Sequence, residues 1–438
     1  MNKLKYLLPV CLIGFIGCAD LDELEPINSV PSATAVSTEG SARAAVNGMY
    51  SDMQDPDLVF DGFLGLPQYF SDECDFTGTF PTRLEFGNLN VFPANGTMGT
   101  AFSDLYQVIN IANNVIELIP AVVQDGFEDV EKDDLVAQAR FLRAHCYLHL
   151  TTLWKDVPMP LTATKEVGEI LEIPATSQSE IYAQIMRDLE AAEVSLLSET
   201  GPEQASKQAA RALMSRVNLY LGNYAEAGAL AEAALGADFM ELPEYMTDQI
   251  YSLGFTAVDG NSLPFFYGPA SLGGRYSIAP SATIVNAYEE GDLRRNLSIS
   301  ADSTYCIKYP DFNAGNNGNG TDPVMFVRHA EMVLIVAEAA AEAGDFDKAS
   351  NWINLVRTRA GLDDVTLDAS NYVDMILKER FVEFAFEGPF RLLDLRRRGK
   401  AMEVLGPIGY ESCDDVWPLP QRDVDRNTNL DQNDCCNC

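Results

Sequence analysis

The chain has 438 residues, of which 47% are hydrophobic, and this fraction is sufficient for a large folded core. Its 65 acidic residues outnumber its 30 basic residues and give a formal net charge of −35. A charge of this sign and size repels nucleic acid and anionic lipid surfaces, so we expect neither as a partner. It also argues against a highly sulfated or uronate-rich ligand, although a local field can oppose the net charge.

The N-terminus has the pattern of a secretory signal. Two lysines precede an apolar run of 12 residues, 6–17, which is too short to span a membrane as a helix. Gly17-Cys18 is the junction at which a bacterial lipoprotein leader is removed and lipid, such as palmitate, is attached to the cysteine. We therefore predict a signal peptide over 1–17, lipidation at Cys18 and an acidic tether over 18–35. Ordinary cleavage beside an incidental cysteine is the alternative.

Most of the remaining chain is predicted to form helices joined by turns, because apolar residues recur with a helical period and capping residues stand at the ends. The predicted helices cover residues 37–53, 101–120, 131–154, 178–197, 206–221, 224–235, 323–343, 346–360 and 371–387. Two segments, 55–100 and 240–322, lack this period and are predicted to form long loops with short strands. Long irregular segments in compact proteins are usually functional.

An internal repeat relates two of the helical regions. Residues 219–227 and 341–349 share a helix end, a glycine, a polar residue, an aromatic residue and an alanine at the same spacing. Gly222 and Gly344 can adopt the left-handed conformation that ends a helix. The pattern is typical of the tetratricopeptide turn, so the predicted fold is mainly α, a scaffold of stacked helical pairs. Two unrelated hairpins that share a turn are the alternative.

The cysteines are concentrated at the C-terminus, where a Cys-rich tail covers residues 435–438. Exported chains can form disulfide bonds, and Cys413 is a candidate partner for this tail. A frayed tail with free thiols or with one local disulfide is the favoured interpretation. The spacing of the tail cysteines lacks the second half of a zinc site.

Residues 378–399 carry a dense pattern of opposite charges. Such charges can bridge within and between helices. Glu383 and Glu387 are candidates for an acid/base pair, but the arginines close to them in sequence favour a structural ion network.

This charged pattern resembles the signature of the SusD/RagB family of outer-membrane nutrient-binding lipoproteins, with one extra residue between Gly388 and Arg391. Four further segments agree with the family, and one of them contains Trp154-Lys155-Asp156-Val157-Pro158, similar to the family's Trp-Gly-Asp-Val-Pro. The acidic stretch behind Cys18 resembles the surface-export signal of Bacteroidetes lipoproteins. The matching signature residues are Glu379, Arg380, Glu383, Glu387, Gly388, Arg391, Asp394, Leu395 and Arg397.

The resemblance implies one SusD-like domain over residues 36–434, with a tetratricopeptide-like scaffold and a loop-rich ligand face. It implies a lipid-anchored protein on the outer membrane that faces the cell surface, binds glycan and partners a SusC-like TonB-dependent transporter. It implies neither catalysis nor a cofactor. A helical-repeat adaptor for peptide or protein ligands is the alternative, and a glycan-degrading enzyme is a third hypothesis.

Ligand-binding rings must be exposed, so we expect them on the two irregular segments. The three tryptophans, Trp154, Trp352 and Trp417, fall in helices or structural motifs and are predicted to serve packing. The predicted ligand-binding residues are Tyr69, Phe70, Asp72, Phe76 and Arg83 in the first segment and Phe265, Phe266, Tyr267, Arg275 and Tyr276 in the second. Phe80, Glu73 and Asn261 are further candidates.

Two patterns are reminiscent of metal sites. His145 and His149 stand four residues apart on a helix, but no third ligand accompanies them, so a structural role is favoured. Residues 311–322 resemble a calcium loop only loosely, because the required glycine and final glutamate are missing. We therefore predict no metal site.

Overall fold

The computed structural model describes residues 36–164, 173–312 and 320–433. The signal peptide, the tether with Cys18 and the Cys-rich tail lie outside the described residues, so the predictions for them stay predictions. Within the described ranges the chain is mainly helical, as the sequence predicted. The helices are α1 (Glu39–Met53), α2 (Leu66–Tyr69), α3 (Pro81–Gly87), α4 (Gly96–Leu118), α5 (Asp129–Trp154), α6 (Gln178–Ser195), α7 (Lys207–Tyr220), α8 (Tyr224–Leu235), α9 (Leu263–Tyr267), α10 (Ala282–Ala287), α11 (Arg295–Ser298), α12 (His329–Glu342), α13 (Phe346–Arg359), α14 (Tyr372–Glu383), α15 (Phe390–Arg397), α16 (Ala401–Leu405) and α17 (Gln421–Arg426).

The long helices form a continuous stack of neighbours. Helix α4 packs between α1 and α5, α5 packs on α6, and α6 packs on α7. The stack continues through α8 to α12 and α13, although the long insert between α8 and α12 separates them in sequence. The two copies of the repeat are therefore direct neighbours in space.

The two repeat turns have the predicted geometry. Gly222 has a φ of +74° and Gly344 a φ of +79°, so both end a helix in the left-handed region that favours glycine. A third glycine lets the two copies approach closely. A Cβ atom at Gly228 on α8 would lie 2.7 Å from the Cβ of Ala339 on α12, so the helix crossing requires glycine there.

The strands form three small antiparallel sheets. Strand β1 (Cys74–Phe76) pairs with β5 (Ile278–Pro280), β2 (Val157–Pro158) with β3 (Ala175–Thr176), and β4 (Gln249–Leu253) with β6 (Val324–Arg328). The predicted helix over 323–343 is wrong in its first turn, because residues 324–328 form β6. A short apolar run such as Val-Met-Phe-Val fits a buried strand as well as a helix, and here β4 supplies the hydrogen-bonding partner.

Helix α14 is shorter than predicted, and several short helices, such as α2, α3 and α9, form where loops were predicted. Helix α14 ends at Glu383 instead of residue 387, and Phe386 follows with a φ of +66°. A π-helix covers Leu58–Gly65, and all eight of its residues are buried. The first irregular segment is thus anchored in the interior before it reaches the surface.

One hydrophobic core contains residues from Val36 to Leu430. No helix in residues 36–164, 173–312 and 320–433 combines the length and the apolar character that spanning a membrane requires. Cys413 takes part in a disulfide bond, whereas Cys74, Cys146 and Cys306 are free and buried. Pairing of Cys413 with the tail remains a candidate only, since the tail lies outside the described residues.

Candidate functional site

The two irregular segments meet at one small sheet. Strand β1 pairs with β5 in the register Cys74–Pro280 and Phe76–Ile278. Beyond the strands, the Thr77 hydroxyl donates a hydrogen bond of 2.6 Å to the Tyr276 carbonyl. Residues about 200 positions apart in sequence are thereby held side by side, and this contact decides which of the candidate rings reach the surface.

Four of the predicted ligand-binding rings are buried, and the prediction of exposure is wrong for them. Tyr69, Phe70, Phe266 and Tyr267 all lie in the core. The Tyr267 hydroxyl donates to Gln68 Oε1 at 2.6 Å, and the Phe266 ring stacks on Phe60 with centroids 3.9 Å apart. These rings anchor the loops, because burying an aromatic ring removes a large apolar area from water.

The polar candidates of the first segment are also buried, each with a partner. Arg83 forms a bidentate pair with Asp61 at 2.7 Å. Asp72 accepts two hydrogen bonds of 2.7 Å from Arg391 of the family signature. These buried contacts position the loop, although Nη1 of Arg83 has no hydrogen-bonding partner within the described residues.

Two further polar candidates are buried as well. Glu73 accepts a hydrogen bond from the Phe386 amide, and Asn261 donates to the Asp322 carbonyl. They too are structural.

The remaining candidates stay accessible and lie together. Phe80 and Arg275 are exposed, and the Arg275 guanidinium carbon lies 4.2 Å from the centroid of the Phe80 ring. Phe76, Phe265 and Tyr276 are half-buried. The Arg275 amide donates to the Phe265 carbonyl at 2.6 Å, which closes the loop between these two residues.

Tyr276 has an unusual backbone. Its φ of +54° falls in the left-handed region, which is uncommon for a residue with a side chain. The Tyr276 amide donates to the Gly268 carbonyl, and its hydroxyl donates to the Thr304 carbonyl at 2.9 Å. Strain of this kind persists where the surrounding structure fixes it, often at a ligand-binding site.

Sequence analysis missed two rings that adjoin this surface. Tyr305 follows the residue that binds the Tyr276 hydroxyl, and its ring centroid lies 5.9 Å from that of Phe312. Phe312 packs against Gly268, where a Cβ atom would lie 2.8 Å from the Phe312 ring. Both rings are half-buried aromatic residues of the second irregular segment, which was the signal that could have found them. We call the whole set, Phe76, Phe80, Phe265, Arg275, Tyr276, Tyr305 and Phe312, the aromatic face.

The tryptophans serve packing, as predicted for Trp154 and Trp417. Both are fully buried, and their rings meet edge to face with centroids 5.2 Å apart. Trp352 is half-buried and stacks on Phe239. None of the three belongs to the aromatic face.

The charged signature forms a buried ion network beneath the insert. Its acids and bases come from α13, α14 and the adjacent turn, from β6 and from the insert. The Glu383 carboxylate alone contacts Arg294 at 3.0 Å and Arg328 at 2.7 Å, and it also pairs with Arg359. The predicted ion network around Glu383 and Glu387 is therefore confirmed. The buried ion network comprises Asp248, Arg294, Lys308, Arg328, Arg359, Glu379, Glu383 and Glu387.

The described residues contain no group of three or more His, Cys, Asp or Glu side chains that could hold a metal ion. His145 and His149 are buried among aromatic rings, and His149 Nε2 lies 2.8 Å from the Gly62 carbonyl oxygen. Burial lowers the pKa of both imidazoles, that of His149 to about 4, so both are neutral at pH 7. The middle of the loosely calcium-like segment, residues 313–319, lies outside the described residues.

Stacked helical pairs with aromatic side chains on inserted loops define a helical-repeat protein of the tetratricopeptide type. The sequence model of the SusD family matches residues 281–435. A second model, described as "Starch-binding associating with outer membrane", matches residues 84–219. The chain belongs to the SusD/RagB family, which confirms the resemblance seen in its signature.

Full-length relatives extend this finding. SusD-like protein P2 of Formosa agariphila is 27% identical to this chain, and the similarity covers 98% of this chain and 99% of the relative. SusD-like protein P38 of the same organism is 25% identical, and the similarity covers 98% of each of the two chains. The crystal structure of a SusD superfamily protein from Bacteroides vulgatus superposes with a TM-score of 0.81 at 19% identity, covering 91% of this chain and 99% of that chain. A laminarin-binding SusD-like protein superposes with a TM-score of 0.77 at 21% identity, with the same coverage. These structures have the fold described above.

Proposed function

We propose that the protein binds glycan at the aromatic face and delivers it to a SusC-like TonB-dependent transporter at the outer membrane. The observation that carries the proposal is the meeting of both loop segments in one accessible surface of rings beside an arginine. Sugars stack their C–H faces on aromatic rings, and a guanidinium donates hydrogen bonds to hydroxyl groups. The starch-binding description of the matching family model and the laminarin-binding relative support glycan as the ligand class.

Arg275 is available for such a contact. Its side chain forms no hydrogen bond or ion pair within the described part of the chain, and it is held over the Phe80 ring. A few polar groups placed beside an apolar surface are what orient a ligand at a binding site.

A binding role without catalysis agrees with the chemistry of the acidic residues. Glu383 and Glu387 are locked in the buried ion network by arginine and lysine partners, and neither belongs to the aromatic face. The solved relative named for its ligand is described as laminarin-binding, which also supports a binding protein.

Alanine at both Phe80 and Tyr276 is expected to weaken glycan binding about tenfold or more, equivalent to about 1.4 kcal/mol, because the ligand loses its stacking surface. Calorimetric titration with laminarin, starch and other glycans measures the affinity. The melting temperature should change little for Phe80, whose side chain is 40% exposed.

Phe92→Ala is the matched control, because Phe92 is 43% exposed and lies outside the aromatic face. It should bind like the wild type. If the double variant binds every active glycan as tightly as the wild type, the aromatic face is not the glycan site. Binding to a peptide library but to no glycan would instead support the helical-repeat adaptor.

Cys18→Ser is expected to move the protein from the outer-membrane fraction to the soluble fraction and to remove the mass of the lipid. The proposed anchor depends on acylation of that thiol, and stable anchoring takes more than one acyl chain. Fractionation and mass spectrometry of the mature protein measure both effects. Cys11→Ser, within the predicted leader, should leave the anchor intact. Unchanged membrane association of the Cys18 variant would contradict lipid anchoring.

A further inference from the structure

A cavity of about 300 Å³ lies between the end of α5 and the helices α6, α7 and α15. Lys155, Gln178, Tyr182, Tyr220, Arg396 and Asp415 are among the residues that line it. None of them belongs to the aromatic face, so this is a separate site. Its volume is at the lower end of the range of pockets that hold small molecules.

Lys155 is held in an unfavourable backbone conformation at this cavity. It follows the last residue of α5 with a φ of +66°, a region in which glycine is the unstrained residue. Its side chain is exposed and forms no ion pair within the described part of the chain. The helix dipole stabilises a cation at a helix C-terminus. The position of Lys155 also places its unpaired ammonium group at the mouth of the cavity.

Arg396 supplies a second positive charge without a carboxylate partner. Its guanidinium donates to neutral oxygens only, the Tyr410 hydroxyl and the carbonyls of Thr152 and Asp414. A guanidinium has five N–H donors, and these contacts use three of them. Asp415 also lines the cavity, and its carboxylate accepts a hydrogen bond of 2.7 Å from the Tyr410 hydroxyl.

The walls offer uncharged hydrogen-bonding groups. Within the described residues the hydroxyls of Tyr182 and Tyr220 make no hydrogen bond. The cavity adjoins a smaller one of about 40 Å³, with which it shares Thr152, Tyr220 and Leu393. His145 lines this inner cavity, and its buried Nδ1 atom has no hydrogen-bonding partner. Buried polar atoms without partners are rare and call for an explanation such as a bound polar group.

We propose that this cavity binds a uronic acid residue, whose carboxylate pairs with Lys155 and Arg396 and whose hydroxyls meet Tyr182 and Tyr220. A monocarboxylate with several hydroxyl groups matches two unpaired cations beside free phenol groups. The net charge of −35 by itself disfavours such a ligand, but the local charge contributed by Lys155 and Arg396 is positive. The proposal goes beyond glycan binding at the aromatic face and does not depend on it.

Calorimetric titration with sodium glucuronate and with glucose tests the carboxylate requirement, because the two sugars differ at one carbon. Glucuronate should bind at least tenfold more tightly than glucose, and the difference should shrink in high salt. Equal affinity for the two sugars would overturn the proposal. Inorganic sulfate that competes as well as glucuronate would also overturn it, because the sugar would then contribute nothing.

Lys155→Gly separates binding from stability. The variant should lose about tenfold in glucuronate affinity, while its melting temperature stays the same or rises, because glycine relieves the positive φ. Lys155→Arg keeps the positive charge and should retain much of the wild-type affinity for glucuronate. If Lys155→Gly binds glucuronate like the wild type, the proposal is wrong.

Two controls locate the effect. Lys348→Ala removes an exposed lysine on α13 and should leave glucuronate affinity unchanged. The variant with alanine at Phe80 and Tyr276 should lose binding of neutral glycan and keep binding of glucuronate. Failure of the uronate site is therefore distinguishable from failure of the aromatic face.

Discussion

Glu383→Gln is expected to lower the free energy of unfolding by about 3–5 kcal/mol, the usual cost of removing one partner from a buried ion pair. The carboxylate is fully buried between Arg294, Arg328 and Arg359. A glutamine keeps the shape but leaves an uncompensated buried charge and points N–H groups at guanidinium groups. Urea unfolding at pH 7 measures the loss.

The effect should depend on pH. Burial raises the pKa of Glu383, but the charges of Arg359, Arg328 and Arg294 outweigh it and hold that pKa well below its ordinary value of 4.5. A depressed folded-state pKa contributes stability above pH 4.5, and this contribution is lost as the pH falls towards the folded pKa. The difference between the wild type and Glu383→Gln should therefore narrow below pH 4.5.

Glu403→Gln is the matched control, since it makes the same change in an ion pair with Lys400 whose glutamate side chain is 68% exposed. Exposed pairs contribute little, so its unfolding curve should almost coincide with that of the wild type. Equal stability of Glu383→Gln and wild type would show that the buried ion network does not hold the insert to α14.

Local sequence signals were sufficient to predict the scaffold. Gly222 and Gly344 end their helices with positive φ, and the periodic segments form helices close to the predicted bounds. These features depend on residues within one turn of each other. That α8 packs on α12 across the insert could be expected only because the repeat implies stacking.

The aromatic face was only partly predictable, because exposure depends on distant contacts. Phe80 and Tyr267 look alike in sequence, as aromatic residues in irregular segments. Tyr267 is buried because Gln68, about 200 residues away, accepts its hydroxyl, whereas Phe80 stays exposed under Arg275. No local pattern encodes the pairing of β1 with β5, which decides between these outcomes.

The ion network was likewise predictable from local sequence only in part. The signature supplied Glu379, Glu383 and Glu387, and its charge spacing indicated ion pairs. Asp248, Arg294 and Lys308 come from the insert, and their partners in the network are 79 to 111 residues away in sequence. The network therefore fastens the segment that carries five of the seven residues of the aromatic face, a role visible only in three dimensions.

Glu73 links the first loop segment to this same region. It immediately precedes β1, is almost fully buried, and accepts a hydrogen bond of 2.7 Å from the amide of Phe386. Burial raises its pKa from 4.5 to about 8, against the opposing effects of that hydrogen bond and of Lys308. The carboxyl group is therefore largely protonated in the folded protein at neutral pH.

The wild type is expected to become less stable as the pH rises, and Glu73→Gln is expected to abolish this pH dependence. A raised folded-state pKa contributes stability that is complete below pH 4.5 and disappears as the pH rises through about 8. Over this window the wild type should lose up to about 1.4 kcal/mol per pH unit from this group. Glutamine resembles the neutral acid and keeps the acceptor for the Phe386 amide, so its stability should not fall with that slope.

Urea unfolding at pH 5 and pH 8.5 measures the difference, with Glu403→Gln as the control that should follow the wild type. The two proteins should be similar at pH 5, and Glu73→Gln should be the more stable at pH 8.5. Because Glu73 adjoins the strand that carries Phe76, glycan affinity of the wild type should weaken over the same window and that of Glu73→Gln should not. Parallel pH profiles of wild type and variant would mean that Glu73 is already ionised in the fold, and that its burial is compensated by Lys308 and Arg391.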